Sequence, residues 1–398
     1  MRHLLWLALC LHFSVPALAQ DGSVRPETGK PLQAAQHMIK ERKFSDALVK
    51  LREVEAIPNR TPTENGLLEQ LRLIAAVSAD QGAVAAKAFD GLAALGALAP
   101  AQRLQFSEAI AGAFFRAKDY AATVAWANRA LAAGGTSETL RNLLVHAPYQ
   151  AGDYAAAAKA VTEQMGAGGQ VSEALLRVLA DCAVQMKDTK AYGAALEKLA
   201  TWYPKPEIWT ELIRAVSARP GFSDRLALDA ARLGLVVGSF ANNSGPYVEL
   251  AELALQAGLP GEAKAALDKG YAAGVLGTGQ EAERHKRLSD LAAKAAAADL
   301  AGLAVAEAEA AGKDSGTALV NTGLAYLGFG QAAKAAAVME AGIAKGGLKN
   351  PDDARLHLGI AYWAAGQKAK AQEALKAVKG SDGAADLARL WAIKTGAL

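Results

Sequence analysis

Apolar and polar positions in this chain follow two nested periods. Over short stretches, apolar and small residues return every three to four positions, as on one face of a helix. Over longer stretches the whole arrangement returns: Gly323, Tyr326 and Gly330 reappear as Gly359, Tyr362 and Gly366, each 36 positions on. A repeat in the mid-thirties that carries small residues, an aromatic and a turn glycine in fixed order predicts helix pairs stacked into a solenoid.

The turns between paired helices are marked by Gly, Lys or Arg before a polar residue, often followed by an aromatic. Arg42-Lys43-Phe44, Lys118-Asp119-Tyr120 and Gly152-Asp153-Tyr154 are the clearest. Gly82, Lys187, Gly258, Gly330 and Gly366 mark further turns, and Pro220-Gly221-Phe222 and Asp299-Leu300-Ala301 complete the set. Seven residues before each turn stands the position where the first helix packs on its mate: Ala35, Ala75, Ala111, Val145, Ala180, Ile213, Ala251, Ala292, Gly323 and Gly359. The nine intervals from Ala35 to Gly359 cover 324 residues, a mean of 36. Small side chains dominate there because they let two helices approach closely. Ala47, Ala157, Ala263, Ala335 and Ala371 supply the matching surface from the second helix.

These residues resemble the tetratricopeptide repeat (TPR) family, whose pattern is W-x2-L-G-x2-Y, a turn, then A-x3-F-x2-A and a proline. The last unit matches it at Leu358-Gly359, Tyr362, Gly366 and Ala371, with Leu375 at the aromatic position. The preceding unit matches at Gly323, Tyr326, Gly330 and Ala335, and the first at Phe44, Ala47, Leu51 and Pro58. The family tryptophan is missing from most units, Trp209 being its one occupant, and residues 172–312 diverge. The resemblance implies an all-α fold: a right-handed α-solenoid of about ten antiparallel helix pairs. Residues 384–394, with Leu387, Leu390 and Trp391 on one face, form a C-terminal capping helix that covers the last pair.

The organisation read from this pattern is a signal peptide over 1–19 and N-terminal repeats over 20–236. An irregular, Gly-rich stretch with one helix pair follows over 237–280, then C-terminal repeats over 281–380 and the capping helix over 381–398. The leader has a basic Arg2, a short apolar run and Ala17-Leu18-Ala19 as a cleavage signature, so the chain is expected to be exported to the periplasm with Gln20 at its start. No later segment is apolar for long enough to span a membrane, so no stable span is expected after cleavage. Trp202-Tyr203-Pro204-Lys205-Pro206 marks a further break, its aromatics read as packing over a loop.

Composition sharpens the picture by exclusion. Lysine and arginine number 43 against 40 acidic residues, interspersed, which argues against a nucleic-acid face. Cys10 falls in the leader and leaves Cys182 alone in an apolar helical stretch, so no disulfide can form and a buried, inert thiol is expected. His37, His146, His285 and His357 are widely separated, and no paired-cysteine or H-E-x-x-H spacing occurs, so neither a metal site nor a cofactor is expected. Gly328-Phe329-Gly330-Gln331-Ala332-Ala333 imitates a relaxed dinucleotide fingerprint, but it follows a helix and the repeat already accounts for Gly330.

Function then rests on the concave face, which the first helix of each pair lines in proteins of this family. Register places Glu108, Arg116, Asn142, His146, Tyr149 and Gln150 there, followed by Arg177, Asp181, Gln185, Thr210 and Arg214. Arginine forks suit carboxylates and other planar anions. The partner-binding residues expected are Arg116, Asn142, His146, Tyr149, Gln150, Arg177, Asp181, Gln185 and Arg214; the same polar row also reads as a solvated face with internal pairs such as Arg177 with Asp181. In the last two units the row turns apolar, with Val320, Leu324, Leu327, Leu356, Ile360 and Trp363, to be covered by the capping helix or by a partner's amphipathic helix. The reading is a non-catalytic scaffold for a protein or peptide partner in the cell envelope. Alternatives are a periplasmic binding protein for a small anionic or lipid-like ligand and, third, an enzyme using His146 with Asp181.

Overall fold

The computed structural model describes residues 24–166 and 170–396, so the signal peptide expected over 1–19, and Cys10 with it, lie outside the described residues. Every regular element among the described residues is helical, in two compact units, Met1–Gln164 and Met165–Leu398. The expected division at 236/237 falls inside the second unit.

In the first unit, α1 (Pro26–Lys40) and α2 (Phe44–Glu55) form one hairpin. The others are α3 (Pro62–Ser78) with α4 (Gly82–Ala94), α5 (Pro100–Arg116) with α6 (Tyr120–Ala132), and α7 (Glu138–Gln150) with α8 (Tyr154–Gly166). One turn chemistry recurs. After the first helix of eight hairpins a residue takes the left-handed conformation: Arg42, Asp80, Lys118 and Gly152 here, and Lys187, Gly258, Gly330 and Gly366 in the second unit. The next residue's N–H then reaches back five positions to a helix carbonyl, as Asp119 does to Phe114 at 2.9 Å and Gln331 to Tyr326 at 2.9 Å. This closes the first helix. Where that next residue is aspartate it also opens the second helix: Asp119, Asp153 and Asp188 accept from the N–H groups of Ala122, Ala156 and Ala191. The turn residue near Gly82 is Asp80; Gly82 itself begins α4, where any larger residue would press its Cβ into the Phe114 ring.

In the second unit, α9 (Glu173–Gln185) pairs with α10 (Thr189–Trp202), and α11 (Pro206–Ser217) leads through a short 3-10 turn to α12 (Ala227–Val236). Then come α13 (Ser244–Gln256) with α14 (Pro260–Ala272), a lone α15 (Ala282–Ala311), α16 (Thr317–Gly328) with α17 (Ala332–Lys345), α18 (Pro351–Ala364) with α19 (Lys368–Lys376), and α20 (Ala384–Thr395). The described chain thus holds nine hairpins. The tenth, expected around Ala292 with a turn at Asp299-Leu300-Ala301, is corrected by a single helix of 30 residues. Nothing there breaks a helix: alanine is the commonest residue of the segment, it has no proline, and one glycine, Gly302, is tolerated in a helix interior.

The small-residue positions carry the packing. All ten except the half-buried Ile213 are buried. A Cβ at Gly323 would sit 2.5 Å from Met339 Cγ, and one at Gly359 2.7 Å from the Leu375 side chain, so backbone and partner side chain meet directly.

The expected capping helix is α20, and Leu387, Leu390 and Trp391 are buried. It packs on α18 and α19, with the Trp391 and Trp363 rings 5.2 Å apart. It also packs on α10 and α12, so the second unit closes on itself. Arg389 reaches Glu197 at 2.8 Å, Arg219 reaches Asp386 at 2.8 Å, and the Ser223 N–H donates to Asp382 O at 2.9 Å.

Candidate functional site

The polar residues expected to bind a partner divide between the units. In the first, α7 carries Asn142, His146, Tyr149 and Gln150 at i, i+4, i+7 and i+8, one face of one helix. Asn142, His146 and Tyr149 are half-buried and Gln150 is exposed. Burial pushes the His146 imidazole below its ordinary pKa, which favours its neutral, hydrogen-bonding form. Tyr149 stands edge-on to Tyr154 at 5.7 Å. Ser137 caps α7 by accepting from Leu140 N–H at 3.0 Å and donates to Glu108 at 2.6 Å, so Glu108 of α5 fixes the start of α7.

Arg116, at the end of α5, serves the stack. Its guanidinium bonds Asp80 and the Val77 carbonyl, the latter at 3.2 Å, clamping the turn of the preceding hairpin. In the second unit Arg177 bonds Glu173 at 2.9 Å, and Glu173 also takes Lys205 Nζ at 2.7 Å, which ties α9 to the start of α11. Lys205 and then Arg177 hold the Glu173 carboxyl below its usual range. Asp181 is half-buried on α9; Gln185 on α9 and Arg214 on α11 are exposed. Tyr203 OH donates to the Val171 carbonyl at 2.8 Å, so the aromatic break after α10 packs over a loop. Cys182 is buried, and its thiol is pushed up to about 11 by burial and then by the Asp181 charge.

The second unit also holds a charged cluster with no counterpart in the sequence reading. Asp229 on α12 accepts from Arg232 at 2.6 Å and lies 3.0 Å from His357 Nε2 on α18; Arg232 also forks onto Glu262 of α14 at 2.6 Å by both nitrogens. Asp229 and Arg232 are buried. Burial works to raise the Asp229 carboxyl, but the charges of His357 and then Arg232 overcome it and hold the group well below the carboxylate range. Arg225, in the 3-10 turn, forks onto Asp353 at 2.9 and 3.0 Å and also bonds Asp382. Beside these groups is a cavity of about 180 Å³. Arg225, Asp229, Arg232, Asn321 and His357 form its polar wall, and Leu228, Leu259 and Leu324 lie on the apolar side. Arg225, Asp229 and Arg232 recur at i, i+4 and i+7, a local signal of a charged stripe, but His357 is 128 positions from Asp229 and no spacing announces it.

Among the described residues no group of three or more His, Cys, Asp or Glu side chains is arranged to hold a metal ion, and no helix is long and apolar enough to cross a membrane.

No protein-family model matches the sequence, and no curated protein matches it. Among solved structures it is similar to a chain in the structure of Naa15/Naa10 bound to HypK-THB, with 15% identity, 91% of this chain and 58% of that chain covered, and a TM-score of 0.30. This chain therefore spans little more than half the length of that one. The P58(IPK) TPR domain aligns with 13% identity over 92% of this chain and 98% of its own, at a TM-score of 0.21. Yeast Tom70 aligns with 11% identity over 92% and 95%, also at 0.21. What this chain has in common with TPR proteins is the helix hairpin repeated along the chain; superpositions this loose transfer no ligand and no partner.

Proposed function

We propose that the chain is a non-catalytic scaffold that holds a protein or peptide partner, with α7 as the contact face. The observation that carries this reading is the row Asn142, His146, Tyr149 and Gln150 on one side of α7. It offers amide donors and acceptors, an uncharged imidazole and an aromatic ring, a set suited to an extended peptide. Arg116 and Arg177 are engaged in ion pairs within the chain, Arg116 with the preceding hairpin and Arg177 with Glu173 of its own helix; Asp181, Gln185 and Arg214 add to the polar surface of the second unit. The bacterial cell envelope is the proposed setting, on the strength of the leader-like residues 1–19.

The test is affinity capture from an envelope fraction with residues 20–398, beside a variant carrying Asn142→Ala, His146→Ala, Tyr149→Ala and Gln150→Ala. A partner held by the native protein and lost by the variant is expected. A partner held equally by both would overturn the assignment to α7.

The cavity in the second unit favours a second reading, a site for a small anionic molecule. Arg225 is the cation such a molecule would meet, in competition with Asp382. Native mass spectrometry of the whole protein tests it: a retained small mass that Arg225→Ala abolishes supports this reading, and a bare chain counts against it.

A further inference from the structure

Helix α15 differs from every other helix of the second unit. Its 30 residues span roughly 45 Å, about twice the length of its neighbours. It packs on α13, α14 and α16, yet α14 and α16 also pack directly on each other, so α15 lies outside that layer. Its inner stripe is His285, Ala292, Ala296, Leu303 and Ala310. The opposite stripe runs Arg287, Leu291, Lys294, Ala298, Gly302, Val305 and Glu309, at steps of three and four, and nothing in the described chain covers it. Leu291 and Val305 are 58% and 62% exposed, Val305 being the most exposed large apolar side chain described.

Two features of this stripe have no use within one molecule. Gly302 stands mid-helix, where glycine is less favourable than alanine. A Cβ there would meet nothing within 4 Å, so packing inside the chain does not require glycine. Arg287, Lys294 and Glu309 make no ion pair among the described residues, whereas Arg284, Lys286 and Glu307 on the same helix all do.

We propose that α15 pairs with α15 of a second copy of this chain, antiparallel, about a two-fold axis at Ala298. The stripe is complementary to itself in that arrangement alone. Arg287 and Glu309 each stand 11 positions from Ala298, Leu291 and Val305 each 7, and Lys294 and Gly302 each 4. A two-fold at Ala298 therefore sets Arg287 against the second copy's Glu309, and Leu291 against its Val305, twice each. At the centre Ala298 meets itself, and Gly302 leaves room for the Lys294 stem. The small central residues allow a close helix approach. A parallel pairing would set like charges together at both ends. The shared length, residues 287–309, is roughly 34 Å, a modest interface, so the dimer dissociates in the micromolar range. This inference is independent of the α7 reading.

Sedimentation of the whole protein over a series reaching roughly 200 µM tests it. A monomer–dimer equilibrium is expected. Arg287→Glu or Glu309→Arg alone, by turning both end pairs repulsive, weakens the dimer roughly tenfold, and the two together restore it. Ala298→Cys gives a disulfide-linked dimer on mild oxidation, because a two-fold brings the two residues face to face. A chain that stays monomeric throughout, a dimer indifferent to the single reversals, or a double reversal that fails to restore association would each overturn the proposal.

Discussion

His357 Nε2 lies 3.0 Å from Asp229 Oδ1, joining α18 to α12 across 128 positions of sequence. The ionised carboxylate can only accept, so the imidazole donates to it through Nε2–H. Asp229 is thereby held between His357 and Arg232, and Arg232 between Asp229 and Glu262. Removing the Asp229 charge leaves the buried Arg232 with Glu262 as its one partner and takes from His357 the carboxylate it donates to.

Asp229→Asn is accordingly expected to destabilise the second unit by about 3 kcal/mol, read as a lowered urea midpoint by tryptophan fluorescence. The pH dependence has a definite sign. The folded carboxyl is depressed, so its contribution is complete above the unfolded value near 4 and is lost only as pH falls toward the lower folded value. The gap between native and variant midpoints should therefore shrink as pH falls below about 4. A gap that does not narrow in that acid range would contradict the assignment.

Glu64 plays the corresponding part in the first unit. Its buried carboxylate accepts from Arg25 Nε at 3.0 Å and from Arg25 N–H at 2.9 Å, and it completes the capping box of α3 with Thr61. Arg25 is the main cause that holds this carboxyl at about 2. Glu64→Gln should loosen α1 from α3 and cost about 2 kcal/mol, seen as faster amide exchange in α1. Unchanged protection there would refute the clamp.

Trp391 is almost fully buried, against Trp363. Trp391→Ala should cost about 3–5 kcal/mol, and deleting residues 382–398 should cause aggregation, because the surface of α18 loses its cover. A deletion variant with an unchanged melting temperature would show that α20 is dispensable.

Gly323→Ala forces a Cβ against Met339 and is expected to cost about 1–3 kcal/mol, whereas Gly66→Ala, with nothing within 4 Å, should be neutral or stabilising. Paired thermal melts compare them directly.

Cys182 should resist alkylation at pH 8 in the folded protein and react after denaturation, since burial and the Asp181 charge both oppose the thiolate. Rapid labelling of the native chain would mean that α9 opens readily.

The hairpins were legible because their determinants are local. A left-handed turn residue, a helix-capping aspartate and a small packing residue recur in one order, and each acts within its own pair. The cap was legible for the same reason, since Leu387, Leu390 and Trp391 mark one face. The absent turn in α15 shows the limit of register: the spacing called for a break at Asp299, but no residue there takes the left-handed conformation that closes the other first helices, and a lone Gly302 within alanines does not force one. The cluster around Asp229 was invisible for a different reason. It is assembled from α12, α14 and α18, and its energetics depend on a closure that no local pattern encodes. On the polar face, register grouped the α7 residues, but it could not tell that Arg116 and Arg177 are engaged with Asp80 and Glu173.

The meeting of α20 with α10 and α12 has a consequence for how this chain can vary. An open array tolerates the gain or loss of a hairpin, because each unit answers only to its neighbours. A closed circuit does not: with one hairpin fewer, Arg389 would miss Glu197 and His357 would miss Asp229. The second unit should therefore hold its hairpin number fixed over evolutionary time, with insertions confined to loop tips, and it should unfold in one step, since opening it anywhere releases the contacts that hold its two ends together.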